Sequence, residues 1–423
     1  MMTISWDGFF SERTEGMKGS EIREFFKLTE QPEVISFAGG FPCPKCFPRE
    51  ELARALGELV IKEGASALQY GPTEGNYQLR LYLAQKMNRV GVNTELDNII
   101  ITNGSQQGLD LIGKVLLDPH DLVIAEEPGY VGGLGAITNY QGEILSIPVD
   151  EEGLCTELLE EKLSNMSDVS RIKFAYVVPS FQNPTGVSMS LRRRRHLLEL
   201  AGRYDFLVIE DNPYGELIYE GESSPTIKSL DTEGRVLYLG SFSKVFIPGI
   251  RVGWIVGERP LIEKMIAAKQ ATDLCSNTLG QHLVFHFSAT GFLDNHVEGL
   301  VSYYHKKRDL MLSSMEKCFP KEVSWTRPAG GFFIWVTFPS YLNSKDMLLK
   351  SLDKKKVAYV DGAGFFVNGS GGSTARFSYS EASPEEICEG ISRLGDLLLE
   401  EVAAQKEVGE GSYAERPLSR SFR

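Results

Sequence analysis

Five short apolar segments, each running into a polar cluster, constrain this chain more than any other feature of its sequence. Asn98–Thr102 runs into Asn103-Gly104-Ser105-Gln106-Gln107, and Leu122–Ala125 leads to Glu127-Pro-Gly-Tyr130. Lys173–Val178 leads to Gln182-Asn183-Pro-Thr-Gly186, Phe206–Glu210 to Asp211-Asn-Pro-Tyr214, and Val236–Leu239 to Ser241-Phe-Ser243-Lys244. Helical patterns separate most of them, which predicts an α/β fold: a mostly parallel mixed sheet flanked by helices. Polar residues repeated at the C-terminal ends of strands are where open sheets of this kind bind ligands. At 423 residues the chain has room for two cores. The expected division is an arm, helix and strand in 1–47, a large ligand-binding domain in 48–300, a smaller α+β domain completed by 301–405, and a disordered polar tail in 406–423.

The last of these clusters carries the most chemistry. In VLYLGSFSKVFIPGIRVGWIVG, residues 236–257, Pro248 and Gly249 turn the chain back, and Arg251–Val256 reads as a returning strand. Ser241, Ser243, Lys244 and Arg251 are thereby gathered in one turn. A lysine amine forms a Schiff base with a carbonyl when burial or a neighbouring positive charge lowers its pKa. The Arg251 guanidinium and the two hydroxyls suit phosphate oxygens. A carbonyl compound that also carries a phosphate is pyridoxal phosphate. At Gly104-Ser105, strand, glycine turn and helix start make a second anion site.

Other features carry less. The formal charge of −13 repels nucleic acid and anionic membrane surfaces, and no apolar run reaches the length of a membrane span. The acidic, polar start has no signal-peptide pattern, so a cytoplasmic location is expected. Cys43-Pro-Lys-Cys46 spells CxxC without a second pair, and His282 and His286 lack a third ligand, so no metal is expected. Arg192–Arg195 reads as the solvated face of a helix starting at Ser190. Ser20 is placed to cap an N-terminal helix with Ile22, Phe25 and Phe26 on one face. The paired Gly39-Gly40 permits close backbone approach. Residues 292–319 read as a long helix joining the domains, followed by strands at Gly331–Phe338 and Ala375–Ser380 and a last helix at Pro384–Val402.

SFSKVFIPGIRVGW resembles the Schiff-base segment of the class I/II aminotransferases, pyridoxal phosphate enzymes of fold type I. The resemblance runs from about Glu21 to about Gly395. NPTG, Asp211-x-x-Tyr214 and SxSK…PGxRxG occur in the family's order, each after an expected strand, and no cofactor position departs from the pattern. It implies that Lys244 carries the cofactor and, once released, moves the proton during transamination. Asp211 would face the ring nitrogen, Asn183 and Tyr214 the phenolic oxygen, and Tyr130 the ring face. Ser105, Gln106, Ser241, Ser243 and Arg251 would hold the phosphate, joined by Tyr70 from the neighbouring subunit of a homodimer. Arg376 would clamp the substrate carboxylate, with Gly40 and Asn183 beside the substrate.

The N-terminal stretch GSEIREFFKLTEQPEVISFAGGFP resembles the 2-aminoadipate and kynurenine aminotransferase branch, in which an arginine on a mobile helix can meet a distal carboxylate. Arg23 holds that position. The implied reaction is amino transfer between an L-amino acid and a 2-oxo acid such as 2-oxoglutarate, with acidic or large aromatic and aliphatic side chains as candidates. Two other readings stand beside it. One is a lyase on the same cofactor, which would release pyruvate and ammonia without an acceptor. The other is an aminotransferase-like ligand sensor, for which the chain shows no basic DNA-binding segment ahead of Glu21.

Overall fold

The computed structural model describes residues 4, 6–17 and 33–414. The expected helix after Ser20, with Arg23, and the last residues of the tail lie outside the described residues. In chain order the strands are β1 (Ile35–Ser36), β2 (Ile99–Thr102), β3 (Leu122–Glu127), β4 (Glu143–Asp150), β5 (Gly153–Leu154), β6 (Ile172–Val177) and β7 (Leu207–Asp211). They continue with β8 (Val236–Ser241), β9 (Gly253–Val256), β10 (Ser324–Trp325), β11 (Phe333–Thr337), β12 (Val357–Ala358), β13 (Val360–Asp361) and β14 (Thr374–Ser378).

The main sheet has eight strands in the order β2-β9-β8-β7-β6-β3-β4-β5. Strands β4, β3, β6, β7 and β8 pair in parallel. β9 is antiparallel to both β8 and β2, so β2 runs with β8. The C-terminal ends of β2, β3, β6, β7 and β8 therefore share one edge of the sheet. These are the five ends that carry the polar clusters. β4 was not foreseen: Pro148 interrupts its apolar pattern, yet lies within the strand, as the register partner of Glu127 at the end of β3.

Near-continuous apolar runs, rather than alternating ones, are explained by burial on both faces. Val123, Phe174, Ile209 and Leu237 pack against the helices Gly104–Leu116, Val131–Thr138 and Arg259–Asp273. Their immediate neighbours Ile124, Ala175, Val208 and Val236 face the helices Thr156–Asn165 and Leu191–Tyr204. This is the two-residue strand period filling two helical layers.

A second sheet, β10-β11-β14-β13, is antiparallel. β1 pairs in parallel with β12, so the segment before residue 48 joins the chain's C-terminal part. The helix Phe292–Cys318 packs along the final helix, Pro384–Ala414, which continues well past Val402, where the sequence pattern stops being amphipathic.

The arginine run corrects the expectation of a solvated face. Arg192 and Arg195 are exposed, but Arg193 and Arg194 are buried. Four consecutive helical positions span more than a full turn, so the run cannot remain on one face. Arg194, 1% exposed, donates Nη2 to Pro179 O at 2.6 Å and Ser180 Oγ at 3.1 Å, Nε to Met189 O at 3.0 Å, and Nη1 to Pro225 O at 3.1 Å. Its Nη1 also lies 3.9 Å from the fully buried Glu210. It thus pins both ends of the loop that carries Asn183. Arg194→Met should lower stability by about 3–5 kcal/mol in urea unfolding, because Glu210 and four acceptors lose their buried partner; Arg195→Ala, on the exposed face, should leave the midpoint unchanged.

Candidate functional site

The turn after β8 is built to present Lys244. Phe242, Val245 and Phe246 are buried in the core and flank it, while Phe242 N–H donates to Val252 O at 3.1 Å and closes the turn onto the returning strand. That strand begins at Gly253 rather than Arg251, because the 3-10 turn Pro248–Ile250 leaves Arg251 in a left-handed conformation, φ +54°. Lys244 is half-buried, and its Nζ donates to Gly40 O at 2.8 Å. Burial lowers its pKa to about 8, assisted by the positive charges of Arg376 and then Arg251, with Asp211 opposing. The larger charge effect therefore comes from a residue on β14, not from the arginine nearest in sequence.

Asp211 closes β7 and is 2% exposed. Its Oδ2 accepts from Tyr176 Oη at 3.0 Å, and its buried Oδ1 has no partner among the described residues. Burial pushes the carboxyl up to about 7, against the pull of Tyr176 and Lys244. Tyr214, 3% exposed, packs edge-on against Phe332 and Phe333, with its ring centroid 5.9 Å from Lys244 Nζ. Burial raises its phenol far above the ordinary range.

Arg376, on β14, is 5% exposed. Its Nη1 donates to Asn183 Oδ1 and its Nη2 to Ala38 O, both at 2.8 Å, and its guanidinium lies 4.4 Å from the centroid of Phe333. Burial lowers its pKa to about 10. Among the described residues no carboxylate forms an ion pair with it. A buried cation in that state is costly unless an anion completes it, which is the requirement a ligand carboxylate would meet.

The anion site at the start of the helix Gly104–Leu116 forms in the same region. Arg251 Nη1 donates to Ser243 Oγ at 3.2 Å and Nη2 to Asn103 O at 3.3 Å; Ser241 Oγ accepts from Ser243 N–H at 3.0 Å. A Cβ on Gly104, where φ is +72°, would lie 2.4 Å from Arg251 Nη2, so only glycine lets the guanidinium reach the helix start. Ser105 Oγ is buried without a partner among the described residues. Gln106 bridges to the next strand end, donating to Gly132 O at 2.9 Å and accepting from Tyr130 Oη at 3.4 Å. The partnerless Asp211 Oδ1 and Ser105 Oγ, beside an amine and an exposed guanidinium, fit a ring-nitrogen donor and a phosphate.

Two expected site residues are not placed with the others among the described residues. Tyr70 is 77% exposed and lines a surface cleft with Cys275–Leu279. Arg23 is outside the described residues. Sequence reasoning missed Tyr176, Phe333 and the buried Glu126. Glu126 Oε2 accepts from Val178 N–H and Gln182 Nε2, both at 3.0 Å, joining the strand end that leads to Tyr130 with the loop that carries Asn183. An acidic residue breaking an apolar run was the available signal.

Burial pushes Glu126 up from 4.5 to about 8. The folded chain then keeps a proton that the unfolded chain releases above about pH 4.5. The associated stability is fully present below that pH and is lost as pH rises through about 8. Asp211 acts in the same sense up to about 7. Melting between pH 7 and 8 should show a decline of up to about 1.4 kcal/mol per pH unit that levels off above about 8, and Glu126→Gln should flatten it. An equally steep decline in that variant would remove Glu126 as its source.

Residues 33–394 match the family model for aminotransferase class I and II. The chain is 45% identical over 402 residues to aromatic-amino-acid aminotransferase 1 of Thermococcus litoralis, covering 95% of this chain and 96% of that protein. Its fold is similar to the crystal structure of Pyrococcus horikoshii kynurenine aminotransferase in complex with PMP, KYN and KYA. That match has a TM-score of 0.90 and 45% identity, covering 93% of this chain and 98% of the other. It is also similar to an alpha-aminoadipate aminotransferase from Thermus thermophilus, complexed with N-(5'-phosphopyridoxyl)-L-leucine: TM-score 0.87, 38% identity, 95% of this chain and all of the other.

Proposed function

The chain belongs to the class I and II aminotransferases and is a pyridoxal phosphate-dependent transaminase, and from that premise we propose that Lys244, Asp211 and Tyr214 are its catalytic residues. The observation that carries this is the buried Asp211 Oδ1, without a partner, on the same sheet edge as the Lys244 amine of lowered pKa. When bound, pyridoxal phosphate supplies a protonated ring that accepts the electron pair left as the substrate Cα–H bond breaks. Asp211 would hold the proton on the ring nitrogen, and Tyr214 and Asn183 would serve the phenolic oxygen. Ser105, Gln106, Ser241, Ser243 and Arg251 hold the phosphate, and Tyr130 covers the ring.

Lys244 holds and moves the proton. With a pKa near 8, about a tenth of its amine is uncharged at pH 7, far more than for a lysine of ordinary pKa, and able to take a proton from Cα. Arg376 takes the substrate α-carboxylate, supported by Asn183 and bordered by Gly40, which fixes the Cα–H bond relative to the ring. Phe332 and Phe333 exclude water from this side.

For substrates we propose 2-oxoglutarate as acceptor, with 2-aminoadipate-like and large aromatic or aliphatic L-amino acids as donors. The names of the similar proteins support this breadth. Arg23 is the proposed partner of a distal carboxylate. A panel of amino acids assayed with 2-oxoglutarate and with pyruvate tests the reading, alongside Lys244→Ala, which should lower turnover by at least about a thousandfold while cofactor still binds. Near wild-type turnover in that variant, or pyruvate and ammonia formed without an acceptor, would sink it.

We further propose a cytoplasmic homodimer in which Tyr70 completes the partner's phosphate site, within the large domain expected at 48–300 and beside the small domain of 1–47 and 301–405. Tyr70, Ile61 and Leu68 are strongly exposed apolar side chains close in sequence, a pattern that suits a covered face. Among the described residues no helix is long and apolar enough to cross a membrane. Mixing Tyr70→Phe with Lys244→Ala subunits should regenerate one intact site per hybrid dimer and raise activity above either parent. If the mixture gains nothing, Tyr70 acts within its own chain.

A further inference from the structure

We infer that Tyr176 is a positioning residue for Asp211, and that Gly133 provides the space its ring requires. The inference rests on the proposed role of Asp211 at the ring nitrogen. Tyr176 is the register partner of Ile209 on the adjacent parallel strand, and Asp211 lies two residues further along. The two side chains therefore leave the sheet on the same face as diagonal neighbours, within reach of a long aromatic. Tyr176, 2% exposed, donates its hydroxyl to Asp211 Oδ2 at 3.0 Å. That bond ties down one carboxylate oxygen and leaves the other, the partnerless Oδ1, in a defined orientation.

The ring in turn is held by the helix Val131–Thr138. A Cβ on Gly133 would lie 2.3 Å from Tyr176 Cε1, 2.4 Å from Cζ and 2.6 Å from Oη. Nothing larger than glycine fits without moving the ring and its hydroxyl. The helix that follows Tyr130 thus sets the position of Asp211 through one aromatic contact.

The hydrogen bond also governs charge. Burial favours a neutral Asp211, and only Tyr176 and then Lys244 oppose it. The titratable groups facing this carboxyl are Tyr176 on β6, Glu126 on β3, Tyr238 on β8, and Tyr214 and Lys244 in the segments after β7 and β8. Burial holds the Tyr176 phenol well above its ordinary range, so it stays a donor at any physiological pH. Without it, burial would push the carboxyl further up in the cofactor-free chain and leave both its oxygens unanchored.

The experiment uses the full-length chain with and without pyridoxal phosphate. In the cofactor-free protein, the Asp211 carboxylic C=O stretch is titrated by infrared difference against Asp211→Asn. Tyr176→Phe should move its midpoint up by about one to two pH units. Gly133→Ala should move it in the same direction. In the loaded enzyme, Tyr176→Phe should weaken cofactor binding and lower kcat about ten- to a hundredfold, with KM for the amino acid little changed. A folded Tyr176→Phe protein with an unmoved Asp211 midpoint overturns the inference, and an unmoved midpoint in Gly133→Ala overturns the part assigned to that glycine. The two readings fail separately: a shifted midpoint together with a fully active Asp211→Asn enzyme would sink the proposed role of Asp211 and leave the link to Tyr176 standing.

Discussion

Burial of positive charge without a matching carboxylate is the constraint on which this site depends. Lys244 and Arg376 both lose hydration, and among the described residues they find neutral acceptors rather than ion-pair partners: Gly40 O for the amine, and Ala38 O and Asn183 Oδ1 for the guanidinium. Phe41 O accepts from Ser380 Oγ in the same stretch. A carbonyl dipole offsets part of the desolvation cost but leaves the net charge in place, and the depressed pKa values of both groups express the remainder. Such a site is adapted to anions and to an amine that gives up its proton readily.

The segment Ala38–Phe41 can do this because β1, just before it, is held against β12 while Ser378 N–H donates to Phe37 O at 2.8 Å. Gly40 brings the chain against Phe333, whose ring would lie 2.6 Å from a Cβ there. The N-terminal segment is therefore shared: its hydrogen bonds run to strands near the C-terminus, and its carbonyls serve a lysine that hangs from the main sheet. Neither sheet alone builds the pocket.

Behind the charged groups lie two buried acids. Glu126 and Asp211 sit at the ends of β3 and β7, both pushed up by burial, and Tyr176 stands near both. Glu126 holds backbone and amide donors, so a proton on it costs the loop around Asn183 little. Asp211 has a single donor, and its ionisation is correspondingly sensitive to that one bond. The same residue type at two strand ends thus serves two purposes, distinguished by how many donors each receives.

How legible this was depended on whether a residue's partners are near in sequence or in space. Lys244, Arg251, Ser241 and Ser243 share one turn that local pattern picks out, whereas Asp211, Tyr214 and Asn183 each follow an apolar strand and were proposed through the family resemblance those ordered motifs carry. The parallel sheet was readable for the same reason, since double-sided burial leaves continuous apolar runs. Tyr176 was hidden inside such a run, where a tyrosine reads as one more large apolar residue until its hydroxyl's partner on the next strand is known. Arg194 was misread because a charge run looks solvated, and only the wrap of the helix decides which of its members turn inward. The pairing of Lys244 with Arg376 spans two sheets and could not come from spacing at all. Sequence reading thus recovers residues that act through their local turn. Those that act by holding another residue in place become visible only when strands are laid side by side.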